Sequence, residues 1–581
     1  MISPAAEYTK TAPPLPKPPQ HLLDDVRLQA TLKTYQSVLR VETPFNVDEL
    51  EKLSRDHPNQ PFVKSVLWGL RNGFWPFDRG NWTIQEGREL NDFARRIKSG
   101  DLEVIRANRD KEMEERRWSE PIPELLPGMR ISPLFVNRAN PAKPRVITDH
   151  ASSGLNDSIP KEEGEVLHDT IRDFGQTLHD IHRKFPRRSL MLYKSDVASA
   201  FLHLPMHPLY QLRQVVKVDD MHIIHRLVFG NRASPRIWCA LSGLLCWIAI
   251  NKFGVRGLFV YMDDFYGWEF ADKMKSFHGQ LRPQRQVNLL KFWDRIRCPY
   301  EDKKQLHGSP LEIIGYTVDI NRGTICMSSQ KVKDTKEAIS TFVSKDSAPL
   351  SEWQKVAGQI NWILDVLPIA RPALDELHRK MSAKGSSKSI YLNKTVKFEL
   401  TWLTNILPYL TGVSFFDNVR WEDKSANMTM YCDATQSLGI SFHYGGDVFI
   451  YRVRQNSAGG EVQRDVFFMK QLGVLFALYH ASTQRIPPKR LVIHCDDAST
   501  VRAFGNMSAA DAMHTAPLLS AARIAVRYGI DFRVRKIEKE SNTIAGLASC
   551  LNFTELKASG RRYQDFIPQM QLLSEEWCKC F

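Results

Sequence analysis

The sequence predicts a multidomain fold of the α/β (α+β) class. Three observations carry that prediction. The chain has 581 residues, past the size at which a single hydrophobic core stops growing. Hydrophobic residues make up 43% of it and charged residues 25%, the balance of an ordinary globular protein. Segments with the two-residue period of strands are interleaved with segments of helical period.

The elements follow in order. Residues 1–25, with "MISPAAEYTKTAPPLPKPPQ", are Pro-rich and are expected to form a disordered tail. They lack the apolar stretch of a secretory signal. Residues 26–124 are mainly helical in pattern, as in "VDELEKLSRDH" and "RELNDFARRI", and are expected to form a packing or adaptor subdomain. From 125 to 330 strands and helices mix. "SPLFVNR" and "KPRVITD" predict two strands around the loop "ANPAK", and "SLMLYKSDV" predicts a strand ending in an aspartate. "SPRIWCALSGLLCWIAINKF" predicts a long helix with Pro235 near its start, where a missing N–H does no harm. Its apolar run "CALSGLLCWIAI" is too short to span a bilayer and predicts burial instead. "GLFVYMDDFYGWEF" has the form of a hairpin with its turn at the aspartates. "LEIIGYTVDINRGTICM" forms another, turning at "NRG".

Residues 331–424 are again helical. Trp353, Val356, Ile360, Ile363 and Leu367 fall on one stripe, and Ser351 with Gln354 predicts a capping box. Residues 425–552 read strand, strand, strand ("MTMYCDA", "LGISFHY", "DVFIYRV"), then helix ("MKQLGVLFALYHA"), strand ("RLVIHCDD"), helix, strand ("DFRVRKI"), helix. Residues 553–581 are expected to be a C-terminal tail.

The formal charge of +14 suits a polyanionic partner such as nucleic acid. The nine cysteines are scattered, with one close pair in "CKC", so neither a zinc site nor a disulfide framework is indicated. That pattern fits a reducing, intracellular location, cytoplasm or nucleus, and no membrane partner is expected.

The chemistry concentrates in "LFVYMDDFYGW". Two adjacent carboxylates repel each other and resist desolvation, yet they interrupt an apolar run. An Asp-Asp pair at a turn is commonly only turn chemistry. Asp263 and Asp264 at a hairpin tip become tolerable if a divalent cation neutralises them, and Mg2+ prefers hard oxygen ligands. If the strand ending at Asp196 lies beside this hairpin, three carboxylates converge. Such a set can hold two cations roughly 3.5–4 Å apart for in-line phosphoryl transfer.

At this point a resemblance appears. "YMDD", Tyr261 to Asp264, matches the Y-x-D-D box of reverse transcriptases, and "SDVASAF" resembles the motif that precedes it. "FGNRASPRIW", "EDKKQ" with "EIIGYTVD", and "SPLFVNR" with "KPRVITDHASSGLN" resemble three further motifs of that family, all in its order. "KSDVASAFLHLPMHP", "FGNRASPRIWCALSGLLCWIAI" and "NQPFVKSVLWGLRNGF" resemble the DIRS-like, tyrosine-recombinase type of retroelement. The resemblance implies a right-hand polymerase, with fingers and palm over 125–330 and thumb and connection helices over 331–424. It implies RNA-directed DNA synthesis from dNTPs on a primed RNA or DNA template with two Mg2+ ions, Mn2+ being a substitute. Asp196, Asp263 and Asp264 would be the metal carboxylates and Tyr261 part of their box. Phe201 would exclude the 2′-hydroxyl of a ribonucleotide, and Arg145 would clamp the triphosphate. Gly230 would let backbone approach the nucleotide. Lys304 would lie near the leaving pyrophosphate, with Lys303 as a rival for the register. A basic surface along the nucleic acid is expected. The competing expectation is a decayed or adopted element product that binds nucleic acid without polymerising.

Residues 425–552 resemble a ribonuclease H, a fold that holds two cations with four carboxylates. Asp433 and Asp496 match two of them. Lys470 or Gln471 stands where a third is expected, and Gly546 where the fourth is. The resemblance therefore implies a folded domain without nuclease activity. Asp433 and Asp496 are expected to face each other, and Lys470 would neutralise the pair if it turned toward them. A shifted register would bring in Glu461 or Asp465 instead.

Overall fold

The computed structural model describes residues 3–82, 84, 99–138, 144–164, 166–364, 366–382, 389–407, 413–414, 421–453 and 465–567. The chain forms two compact units, Met1–Ile314 and Gly315–Phe581, and each mixes helices with strands.

In the first unit, the helix Ser234–Lys252 is apolar around most of its circumference, and Ile237, Trp238, Leu241, Leu244, Leu245 and Ile248 are all buried. A helix of that composition is stable only when covered on all sides. Beside it lies a four-stranded antiparallel sheet. Its order is Leu306–Gly308, Leu190–Asp196, Asp264–Phe270, Phe259–Tyr261. Every residue from Phe265 to Phe270 is buried, because both faces of that strand are covered. Phe265 meets the Trp293 ring at 5.2 Å, and Tyr266 meets the Phe174 ring at 5.2 Å. Phe174 belongs to the helix Ile171–Lys184, which starts at a capping box between Thr170 and Asp173. A smaller core of Ile105, Trp118, Leu134, Val216, Ile224 and Val228 supports two hairpins. One pairs Leu134–Asn137 with Arg145–Thr148, and its loop, 139–143, lies outside the described residues. The other pairs Val215–Val218 with Asp220–Ile223.

Residues 3–25 are not a disordered tail. Pro4–Tyr8 is a helix capped by the Ser3 hydroxyl, and Ala5, Ala6, Ala12, Leu15 and Leu22 are buried in the main core. Asp169 anchors the segment. Ser3 Oγ donates to Asp169 Oδ2 at 2.5 Å, Ala5 N to Oδ1 at 2.8 Å, and Val260 N to Oδ2 at 2.7 Å. Close approach needs Gly243, where a Cβ would stand 3.2 Å from the Ala5 carbonyl oxygen. Residues 26–124 are not a separate subdomain either. Leu28, Phe45, Leu50 and Phe62 share one core with Val260, Phe265 and Trp293. The helix expected in "RELNDFARRI" lies outside the described residues.

The second unit begins with the hairpin Tyr316–Asp319 and Thr324–Met327, which the sequence pattern places instead in the domain ending at 330. The helix Leu350–Leu364 buries Trp353, Val356, Ile360 and Ile363. Its expected capping box is not formed, because the helix already starts at Leu350 and Ser351 lies inside the first turn. Leu367 lies beyond the helix end. A six-stranded sheet follows, in the order Asp531–Lys536, Arg490–Cys495, Met428–Ala434, Gly439–Tyr444, Asp447–Arg452, Arg562–Asp565. The first three strands run parallel to one another, and the third, fourth and fifth pair antiparallel. The expected boundary at 424/425 does not divide the core, since Ile339, Trp353 and Leu403 pack in one cluster with Leu472, Leu475 and Ile493. Residues 553–567 are not a tail. Phe553–Ala558 is a helix whose Leu556 is buried against Val448 and Ile450, and Arg562–Asp565 adds a parallel edge strand.

Candidate active site

Asp196, Asp263 and Asp264 all lie at one end of the four-stranded sheet. Asp196 is the last residue of its strand and lies directly opposite Asp264 in the antiparallel register. Directly opposed residues point to the same face. Tyr261 pairs with Asp264 from the other side, leaving Met262 and Asp263 as a two-residue turn. Met262 has φ 54°, in a region that non-glycine residues rarely occupy and that costs about 1–3 kcal/mol. Surrounding contacts hold it there. The Trp238 indole N–H donates to the Met262 carbonyl at 2.9 Å, and Met262 Sδ lies 3.6 Å from Cys239 Sγ. The Asp263 carbonyl accepts from Val197 N at 3.1 Å, which ties the turn to the residue after Asp196.

The electrostatics match this crowding. Burial, then the neighbouring charge of Asp264 and more weakly that of Asp196, push the Asp263 carboxyl up to about 6, while the Arg145 guanidinium pulls the other way. Burial also raises Asp264, against the attraction of Lys194. Two lysines answer the carboxylates. Lys194 Nζ lies 3.2 Å from Asp264 Oδ1. Lys304 Nζ lies 3.2 Å from Asp196 Oδ2 and 2.8 Å from Glu301 Oε1. Contact with Glu301 and then Asp196 holds the Lys304 ammonium above its ordinary pKa. Lys303, the rival in sequence, is 80% exposed and pairs with Glu301.

Among the described residues no three His, Cys, Asp or Glu side chains are gathered as a metal cage. Lys194 and Lys304 each engage one of the carboxylates. The donor chemistry nonetheless fits a hard divalent cation: Asp196, Asp263 and Asp264 supply oxygen ligands only, and their mutual repulsion is what such a cation relieves.

The remaining singled-out residues are placed as follows. Phe201 is 8% exposed, and its ring lies 5.1 Å from that of Phe229. The exposed Arg145 sets its guanidinium 5.6 Å above the same Phe229 ring, so Arg145, Phe229 and Phe201 form a ladder. Tyr261 meets the His168 ring at 4.5 Å. Gly230 has φ 115°, and a Cβ there would stand 1.9 Å from the Thr148 carbonyl oxygen. Close approach to the strand Arg145–Thr148, within the protein itself, therefore accounts for this glycine. The structure adds three residues that the sequence pattern did not single out: Lys194, Phe229 and Glu301. Lys194 was accessible in principle, since it stands two residues before Asp196 and strands repeat every two.

A second constellation lies in the six-stranded sheet. Cys432 pairs with Cys495 on adjacent parallel strands, so Asp433 and Asp496 follow side by side. Lys470, one turn into the helix Val466–Ser482, places Nζ 2.6 Å from Asp433 Oδ1 and 2.5 Å from Asp496 Oδ1. Burial alone would lower the lysine pKa, but the two carboxylates outweigh it and hold the ammonium well above its ordinary value. Ser549 Oγ donates to Asp433 Oδ2 at 2.9 Å, and a Cβ on Gly546 would stand 3.7 Å from that same oxygen. Asp465 does not join them. It caps its helix by accepting from Phe467 and Phe468 N, and lies 3.1 Å from His514 Nε2. Glu461 lies outside the described residues.

No protein-family model matches the chain, and no curated protein matches it. Among solved structures it is similar to three of foamy viral protease-reverse transcriptase. One, in complex with double-stranded DNA, has a TM-score of 0.42 at 12% identity, over 92% of this chain and 83% of that one. Another, with an RNA/DNA hybrid, has a TM-score of 0.40 at 13% identity, over 86% of this chain and 64% of that one. A third, with double-stranded DNA, has a TM-score of 0.38 at 15% identity, over 86% of this chain and 98% of that one. Likeness at these scores carries no inference about this chain's activity.

Proposed function

We propose that the chain is an RNA-directed DNA polymerase of a DIRS-like retroelement, joining dNTPs to a primer 3′-hydroxyl. The observation that carries the proposal is the register Asp196 opposite Asp264, with Asp263 on a strained, pinned turn beside them. Two Mg2+ ions, or Mn2+, held by Asp196, Asp263 and Asp264 would activate the hydroxyl and neutralise the departing pyrophosphate. The protein's own residues supply position and charge. Arg145, with its fixed fork of donors, pairs the triphosphate, and Phe229 keeps the arginine above the ladder. Phe201, held against Phe229, fills the space a 2′-hydroxyl would need. Lys304, held by Glu301, exchanges its contact with Asp196 for the pyrophosphate oxygens. In this reading the elements around the four-stranded sheet are palm and fingers, and the helices after 331 are thumb and connection.

The six-stranded sheet, with three antiparallel strands extended by two parallel ones at one edge and one at the other, supports a ribonuclease H-like domain. Lys470 supports its inactivity, because the ammonium takes the position between Asp433 and Asp496 that a cation would need. The domain's remaining work is to hold the duplex by shape and basic charge.

Primer extension on RNA and DNA templates tests the proposal. Extension should occur on RNA with dNTPs, stop with Asp263→Asn, and admit ribonucleotides with Phe201→Ala. Labelled RNA in a hybrid should stay uncut with Mg2+ or Mn2+. A second reading, nucleic-acid binding without synthesis, is favoured by the lysines that engage Asp196 and Asp264. Tight primer-template binding with no extension on either template would select it.

A further inference from the structure

A cavity of about 180 Å³ in the first unit shares Arg145 and Phe229 with the arrangement above, while the rest of its lining, Arg226 and Lys111 included, has no role in it. Its walls come from the helix Leu102–Glu114, the strand Arg145–Thr148 and the segment around Arg226 and Phe229. Four cationic side chains line it, Lys111, Arg117, Arg145 and Arg226, against the single carboxylate of Glu112. That carboxylate is already committed, since Arg117 donates to both of its oxygens, at 2.5 and 2.8 Å.

Arg226 is the unexplained member. It is 6% exposed, and among the described residues its Nε and Nη1 have no hydrogen-bond partner. The carboxylate it pairs with, on Glu42, is 3.8 Å from Nη2, too far for a hydrogen bond. A buried guanidinium with idle donors is costly, and native structures pair nearly all such groups. The rim is cationic too. Lys111 is 64% exposed and only 3.9 Å from Glu115 at its nearest contact, and Arg145 is exposed. The opposite wall, with Trp118 and Val228, is apolar and would exclude water from an anion's contacts.

We propose that this cavity binds a compact phosphate-class anion, seated on the idle donors of Arg226 and approached past Lys111 and Arg145. Guanidinium suits phosphoryl oxygens through paired, charge-assisted hydrogen bonds. Inorganic phosphate, pyrophosphate and the tail of a nucleotide share that chemistry. The cavity's size favours the first two. The inference stands on the unpaired guanidinium and holds whether or not the protein polymerises.

The experiment uses the full chain without added metal. Thermal melting and tryptophan fluorescence, to which Trp118 contributes, follow titration with phosphate, pyrophosphate and a deoxynucleoside triphosphate, against chloride at equal ionic strength. Saturable stabilisation by phosphate or pyrophosphate is expected, with affinity lowered at least ~10-fold in Arg226→Met. Lys111→Ala, at an exposed position, should weaken binding about threefold while melting in chloride and primer extension stay unchanged, which separates this proposal from the polymerase reading. Absence of saturable binding by either inorganic anion overturns it. So does binding that survives both substitutions, or binding confined to the triphosphate.

Discussion

Lys470 shows how one residue decides the chemistry of a site. Its ammonium sits between the carboxylates of Asp433 and Asp496 and supplies the positive charge they would otherwise lack. Side-chain exposures of 12%, 11% and 9% for Lys470, Asp433 and Asp496 make this a buried triad. Removing one partner of a buried ion pair leaves uncompensated charge and costs about 3–5 kcal/mol. Lys470→Ala should therefore destabilise the second unit by that order in denaturant unfolding. Adding Asp433→Asn and Asp496→Asn to it should recover most of the loss. Near-additive costs would mean that the three groups do not act as a unit. Trp238 works in the same way on the Asp263 turn. Trp238→Phe keeps the buried ring but removes the donor to the Met262 carbonyl. It should cost about 1 kcal/mol and lower primer extension more than that loss of stability explains.

At the scale of elements, two buried acids hold segments in place. Asp169 gathers Ser3, the N-terminal helix and the strand that leads into the Asp263 turn. Asp169→Ala would leave three buried donors unpaired, at about 1–3 kcal/mol each, and should release the N-terminal segment to limited proteolysis. Retained protection of residues 3–25 would contradict this account. In the second unit Glu399 lies on the helix Lys394–Ile406 and is 1% exposed. Burial, with the nearby charges of Asp375 and Glu376, raises its carboxyl to about 8, against the hydrogen bond from Glu376 N. The raised value fixes the sign of a pH effect. Folded protein keeps the Glu399 proton where the unfolded chain has lost it, so its stabilisation is complete below about 4.5 and lost as pH rises toward about 8. Melting temperature should fall over that window. Glu399→Gln, which mimics the protonated acid, should flatten the fall.

For the whole molecule the governing quantity is charge. A formal excess of +14 draws phosphate backbones, and each neutralised phosphate releases condensed counterions. Binding to a primer-template should weaken linearly in log–log form as salt rises, with a slope of about −0.9 per phosphate contacted on duplex DNA. A flat response, measured by fluorescence anisotropy from low to moderate salt, would assign the excess charge to something other than nucleic acid.

Local order was legible wherever it sets its own terms. The strand ending at Asp196, the hairpin folded at Met262 and Asp263, the buried helix of "SPRIWCALSGLLCWIAINKF" and the strand order of residues 425–552 all lie in residue period and turn chemistry. The sequence alone therefore determined a mixed α/β chain with carboxylates at a hairpin tip, and a second sheet with Asp433 and Asp496 at the ends of two of its strands. Only the tertiary structure decided which distant groups meet. It set Asp196 opposite Asp264, turned Lys304 rather than Lys303 to Asp196, and aimed Lys470 between two aspartates. It also explained Gly230 by the approach of Thr148. Residues 3–25 read as disordered because their own apolar content is low, yet they are ordered by a surface built from Asp169, Gly243 and Phe62. The boundaries expected near 125 and 425 dissolved for the same reason. A core is defined by contacts between residues far apart in sequence, and composition along the chain carries no record of which apolar faces will share one.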